Sequence, residues 1–399
     1  MKLICKHFEG TLVEMSSEPK QIKENTLESL SRAIKLSDGI EFDVRSTLDE
    51  RLILHHDMTL SVSEELRDDL PKYVEKNTLS DLNEFGFSSF EDIVNDSMIS
   101  QSLREHGKLM NIELKLPHIS SGVGGGWLSS KKNISYIGNM MNQCAKILNE
   151  AEIPKHSVIF YGFFKHMSYA AKKINFDWSV SSLFPPQLRF GSQTLNRIYA
   201  SSEFTSRSLN SMIKRQKKRN SPILPCALEY FIPPYNKLRL DKTYGLSGKS
   251  LDRLLKLKKG FPLYIWPGLI KHETMLYDAG ISILSDSLDS NEYTLPEGIA
   301  RWTKQSTQPL NDKWIQRFRE TSPENHKDLI EEATREVSPW HELNSNERKY
   351  FLDKWSKKWY WSKSSQEIYH ESESNKLPWE SVRVIGHRGC GSTSRPIFN

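Results

Sequence analysis

Cysteine is scarce in this 399-residue chain. Cys5, Cys144, Cys226 and Cys390 lie far apart, with no CxxC pair and no zinc-ligand spacing. That excludes a disulfide framework and a structural zinc site and leaves buried free thiols as the default. Long apolar runs are missing too: nowhere do eighteen apolar residues stand together, so no transmembrane helix is expected. The first ten residues, MKLICKHFEG, carry charges at Lys2, Lys6 and Glu9 and no apolar stretch, unlike a signal peptide. Charge of one sign is also lacking. A net charge of +5 is small for this length and gives no reason to expect a nucleic-acid partner. The glycine-rich SSGVGGGW at 120–127 lacks the Lys-Ser/Thr of a phosphate-binding P-loop and reads as a mobile loop. These absences point to a soluble, cytoplasmic protein. They leave a peripheral membrane contact and the oligomeric state open.

What is present is ordinary globular composition, 37% hydrophobic and 26% charged, with ten tryptophans. Apolar periodicity alternates between the two regular structures. Residues 2–5 read as a first strand, and a helix follows Glu24-Asn25-Thr26, with Asn25 or Thr26 as its N-cap. Strands are then expected at 40–44 and 52–54. Further strands are expected at 109–116, 157–161, 178–184, 227–231, 263–266 and 281–284, with helical segments between them. Such recurrence favours an α/β barrel over a sandwich. The basic run 214–219, KRQKKR, reads as a solvated helix face. From 297 to 380 the strand pattern stops, and tryptophans 302, 314, 340, 355, 359 and 361 sit among polar residues. This predicts a helical connector whose aromatics pack onto the barrel.

The chemistry concentrates in residues 40–57, IEFDVRSTLDERLILHHD. Glu41 and Asp43 are two apart on a strand-like stretch, so both carboxylates face the same way. His55-His56-Asp57 follows the next extended run. Two aligned carboxylates and a nearby imidazole are the parts of a metal-assisted acid–base site, or else a hairpin with charges facing solvent.

The run ENTLESLSRAIK…IEFDVRSTLDERLILHHD (24–57) resembles the glycerophosphodiester phosphodiesterase family, as do IELK at 112–115, IW at 265–266 and GISILSD at 280–286. The resemblance spans roughly residues 1–290 and is most specific in the first sixty. It implies a TIM (β/α)8 barrel over residues 1–296 that uses a divalent cation, Mg²⁺ or Ca²⁺, to split a glycerophosphodiester into glycerol 3-phosphate and an alcohol. Glu41, Asp43 and Glu113 would form a hard oxygen set for the ion. His56 would act as acid or base, Lys115 would meet a phosphate oxygen, Trp266 would wall the alcohol pocket, and Asp286 would order a loop.

The family carries His-Arg-Gly on its first strand, where this chain has LICKHFEG. Lys6 and His7 are the candidates there, His7 for proton transfer and Lys6 for phosphate, and neither reproduces an arginine fork. Weakened or absent activity is therefore expected. An intact motif, VIGHRGCG with His387 and Arg388, occurs only at 384–391. The economical expectation is that 381–399 begins a second, truncated copy with unpaired backbone. The sharper expectation is that this segment replaces strand one of the barrel and supplies His387 and Arg388. Two other functions stay open: a non-catalytic barrel that binds metal and phosphate in a regulatory role, and a phospholipase acting on lysophospholipids.

Overall fold

The computed structural model describes residues 22–60, 70–124, 130–184, 201–288, 292–372 and 376–391. Lys6, His7 and the expected strand at 2–5 lie outside the described residues.

The first helix, α1 (Leu27–Leu36), begins where the side chain of Thr26 accepts from the Ser29 N–H and the Ser29 hydroxyl accepts from the Thr26 N–H. Leu30, Ala33 and Ile34 form its buried face. Strand β1 (Gly39–Ser46) is buried along its whole length. Ile40, Phe42 and Val44 pack outward among the helices, while Glu41 and Asp43 alternate to the barrel interior. Short β2 (Leu52–Leu54) turns back antiparallel on β1 (Val44↔Leu54) and so returns residues 55–57 to the end of β1.

The remaining strands are β3 (Leu109–Leu114), β4 (Val158–Tyr161), β5 (Ser179–Val180), β6 (Leu224–Ala227), β7 (Leu263–Gly268), β8 (Ile281–Ser285) and β9 (Val384–His387). Their sheet order is β5-β4-β3-β1-β9-β8-β7-β6, with every neighbouring pair along the path parallel. A parallel bridge between Phe184 and Cys226 joins the two ends of that path. The result is an eight-stranded α/β barrel whose interior is filled from alternate positions by Leu109, Ile159, Tyr161, Tyr264, Leu284 and Ile385. The strand expected at 227–231 lies earlier, at Leu224–Ala227, and residues 228–230 form a 3₁₀ turn. Residues 214–218 of the basic run fall on a helix, Leu209–Lys218, that buries Leu209, Met212, Ile213 and Gln216 and exposes Lys214, Lys217 and Lys218.

Strand β9 corrects the expectation of a detached second copy. It lies between β1 and β8, pairing Gly39↔Ile385 and Glu41↔His387 on one side and Ile283↔Val384 and Ser285↔Gly386 on the other. Its backbone is therefore paired on both sides rather than left unsatisfied. The barrel is permuted relative to the order the resemblance implies, because its first strand comes last in the chain. Gly386 is required for the fit: a Cβ there would come 2.7 Å from the Ala33 Cβ on α1.

Residues 300–382 lead the chain to this slot. Ala300, Trp302, Trp314, Phe318 and Leu329 make one apolar cluster, and Trp340, Phe351, Trp355, Trp359 and Val382 make another. Trp355 stacks between Trp340 (5.8 Å) and Trp359 (6.1 Å). The Trp359 indole N–H donates to the Tyr277 carbonyl at 3.0 Å, and Lys358 pairs with Asp278 at 2.8 Å, which holds the helix Ser345–Lys358 against the barrel.

Buried Asp38, just before β1, fastens the arrangement. Its carboxylate accepts from the N–H groups of Ser306 (3.1 Å), Thr307 (2.8 Å) and Val384 (3.0 Å) and from the Thr307 hydroxyl (2.8 Å). One side chain thus joins β1, the connector and β9. Replacing Asp38 with alanine leaves those buried donors without a partner and is expected to lower unfolding free energy by about 2–5 kcal/mol. Urea denaturation of Asp38→Ala against wild type checks this.

Candidate active site

Every site residue that falls among the described residues converges on the C-terminal end of the barrel strands. β1 presents Glu41 and Asp43, and its neighbour β3 presents Glu113 directly across from Asp43. Oxygens of Glu41, Asp43 and Glu113 lie within 4.8 Å of one another, and all three residues are buried. Lys115, one residue past β3, reaches Asp43 Oδ1 at 2.8 Å and also donates to Glu113.

β9 completes the ring. His387 Nε2 is 3.6 Å from Glu41 Oε2, and Nδ1 is bonded to Asp286, which follows β8. The indole N–H of Trp266 also lies 3.2 Å from Nδ1, so Trp266 borders the His387 imidazole. Arg388, Gly389 and Cys390 all have positive φ (52°, 69° and 54°). This run of left-handed backbone is costly for the two residues that carry side chains. It aims the Arg388 N–H at Glu41 Oε2 (3.1 Å) and brings Arg388 Nε to 3.1 Å from Asp43 Oδ2. Glu24 lies 3.4 Å from the other side of the same guanidinium.

Sequence reasoning missed several supporting residues. Asn25 was weighed only as a helix cap, whereas Thr26 caps α1. The Asn25 amide instead clasps Asp43, donating to Oδ2 at 3.1 Å and accepting from the Asp43 N–H at 3.0 Å. Its φ of 55° is one that asparagine tolerates better than most residues. Buried Arg45 donates to the carbonyls of His56 (3.0 Å) and Leu116 (2.9 Å) and pairs with Glu75 (3.3 Å). It thereby locks the His56 turn to the end of β3. An acidic-Asn-Thr run before a helix was the available signal for Asn25; Arg45 had none.

Burial and charge set the protonation states. Burial first, then the nearby Asp43 and Glu113 charges, raise the Glu41 carboxyl to about 7, although His387 opposes the shift. Burial would raise Asp43 too, but Lys115 and Arg388 outweigh it and hold that carboxyl well below the usual range. The two histidines are driven apart. Burial and then Lys115 push His56 down to about 3, so its ring is neutral at pH 7. For His387, burial lowers the pKa but Glu41 and Asp286 more than offset it, and the net shift is upward.

Residues 17–137 match the sequence profile of the Glycerophosphoryl diester phosphodiesterase family. No curated protein matches the chain. Among solved structures, a glycerophosphodiester phosphodiesterase from Thermotoga maritima is similar over 63% of this chain and 82% of its own, at 16% identity and a TM-score of 0.36. An Oleispira antarctica phosphodiesterase, solved in complex with the product sn-glycerol-3-phosphate, aligns over 66% of this chain and 88% of its own, at 17% identity and a TM-score of 0.40. A putative glycerophosphoryl diester phosphodiesterase from Silicibacter pomeroyi covers 66% and 94%, at 8% identity and a TM-score of 0.42.

The donor set suits a hard divalent cation. It is all oxygen, it is buried, and Glu41 Oε1 has no hydrogen-bond partner among the described residues. Ca²⁺ or Mg²⁺ is therefore expected to raise the thermal midpoint of the native protein and to leave that of Glu41→Gln/Asp43→Asn unmoved. Thermal denaturation with EDTA or with each cation checks this.

Proposed function

We propose that the protein is a divalent-cation-dependent phosphodiesterase that converts glycerophosphodiesters to glycerol 3-phosphate and an alcohol. The observation that carries this reading is the meeting of β9 with β1. It sets His387 and Arg388 beside Glu41, Asp43, Glu113 and Lys115, with half-buried His56 at the edge of the same cluster. The match of residues 17–137 to the phosphodiesterase family supports it independently.

In this reading Glu41, Asp43 and Glu113 hold the ion, which when bound neutralises the phosphodiester and stabilises charge on its oxygens. Arg388 offers the planar fork that Lys6 or His7 would lack, and Lys115 adds a second cation on the same side. Substrate phosphate competes with Asp43 for both cations, which keeps them placed before binding. His387, whose pKa Glu41 and Asp286 raise, donates a proton from Nε2 to the departing alcohol oxygen. His56, neutral and bonded through Nδ1 to Asp57 at 2.7 Å, takes a proton from the attacking hydroxyl on its other nitrogen. Trp266 walls the leaving-group side beside His387.

The expectation of impaired activity rests on the missing first-strand motif, and Arg388 beside Asp43 argues against that premise. The regulatory, non-catalytic reading rested on the same premise. A greasy, basic rim formed by the loops at 118–132 and 185–222 would favour the lysophospholipid reading; parts of both loops lie outside the described residues.

Glycerol 3-phosphate release from glycerophosphocholine with Mg²⁺ or Ca²⁺ is the direct test. His387→Ala and His56→Ala are each expected to lower kcat by about 10²–10⁴-fold, and Arg388→Lys is expected mainly to raise KM. Cation binding by the wild type without any release would refute the proposal.

A further inference from the structure

Asn111 lies mid-strand on β3, between Leu109, which packs in the barrel interior, and Glu113, which joins the acidic cluster. The two-residue period of a strand therefore turns Asn111 inward as well. Its register partners are Glu41 on β1 and Ile159 on β4. The side chain is fully buried, and neither Oδ1 nor Nδ2 has a hydrogen-bond partner among the described residues. An amide left in that state costs about 1–3 kcal/mol, which leucine of similar shape would avoid. Packing between Leu109 and Ile159 gives no reason for asparagine here.

The polar surroundings do give one. Glu41 Oε2 accepts from the Arg388 N–H and faces His387, but Oε1 accepts nothing among the described residues. Tyr161, in register with Glu113, is buried in the same interior. Burial first, then the charges of Glu41, Glu113 and Asp43, raise its phenol well above the usual pKa, which places the hydroxyl beside the cluster. It nevertheless makes no hydrogen bond of ordinary geometry among the described residues. Both oxygens of Asp43 already face cations or an amide: Lys115 at Oδ1, Asn25 and Arg388 at Oδ2. The acidic cluster is thus short of free donors, while buried polar atoms beside it stand unused.

On the cation-dependent reading of the site, we infer that Asn111 and Tyr161 belong to it: the Asn111 amide oxygen is an uncharged fourth donor to the ion, and the Tyr161 hydroxyl positions Glu41. Hard divalent cations take amide carbonyl oxygens readily. A neutral donor also adds a ligand without adding to the repulsion among three carboxylates. Asn111 is then a residue kept for binding at the expense of stability.

Titration calorimetry with Ca²⁺ and with Mg²⁺ on the full chain, without substrate, tests this. Asn111→Leu and Tyr161→Phe are each expected to weaken cation binding about 10–100-fold. Asn111→Asp, which keeps an oxygen at the position, should retain it. In EDTA, Asn111→Leu should melt at or above the wild-type temperature, because the unpaired amide is gone. Wild-type affinity in Asn111→Leu, as a trapped water beside Asn111 would give, overturns the inference. So does an Asn111→Leu protein that loses binding but melts below wild type, or a loss in Asn111→Asp equal to that in Asn111→Leu. If the wild type itself binds neither cation, the cation-dependent reading fails and the inference with it.

Discussion

Val384–His387 is hydrogen-bonded to β1 on one side and β8 on the other, and the mouth of the barrel depends on that double ladder. Without it the interior would be open between β1 and β8, and the buried carboxylates of Glu41 and Asp43 would lose a wall and a cation. The strand is also the most distant in sequence from its partners. The Val384 N–H reaches the Asp38 carboxylate across 346 residues. Loop-closure entropy grows only slowly with length, so such a distant pairing is affordable once the two edges are in place. Its cost falls instead on folding rate, since high contact order slows the search.

The site is a balance of charges that could not be buried singly. Three carboxylates in one cavity repel one another, and desolvation disfavours each further. Lys115 from β3 and Arg388 from β9 offset this unequally. Asp43, touched by both, stays ionised, while Glu41, touched by neither guanidinium nor ammonium side chain at close range, is pushed toward neutrality. The same imbalance separates the histidines. His56 lies near Lys115 and is kept neutral; His387 faces Glu41 and Asp286, and its pKa is raised. Two imidazoles whose pKa values are driven apart beside one pair of cations suit the acid–base cleavage proposed above.

The tryptophan-rich connector has a mechanical part in this. Its aromatic stacks and the Trp359–Tyr277 hydrogen bond hold it to the barrel, and Asp38 ties residues 306–307 to the starts of β1 and β9. The chain is thereby delivered to the gap at the correct register. Register matters because a one-residue slip would turn His387 out of the interior and Gly386 into it.

Much of this was legible in the residues alone. Alternating apolar patterns marked the barrel, the i, i+2 spacing of Glu41 and Asp43 put both carboxylates inside, and IELK placed Glu113 and Lys115 on a like strand end. These are local properties, set by the two-residue period of a strand. What the tertiary structure decided was which segment fills the gap beside β1. Residues 2–5 and 384–387 are both short and apolar, and nothing in their own sequences says which one two distant strand edges will accept. That choice is made by Ala33 against Gly386, by Asp38 against Val384 and by the helices that carry the chain across. It is also what turned an isolated His-Arg-Gly, read from sequence as the start of something unbuilt, into the second half of the site around Glu41, Asp43 and His56.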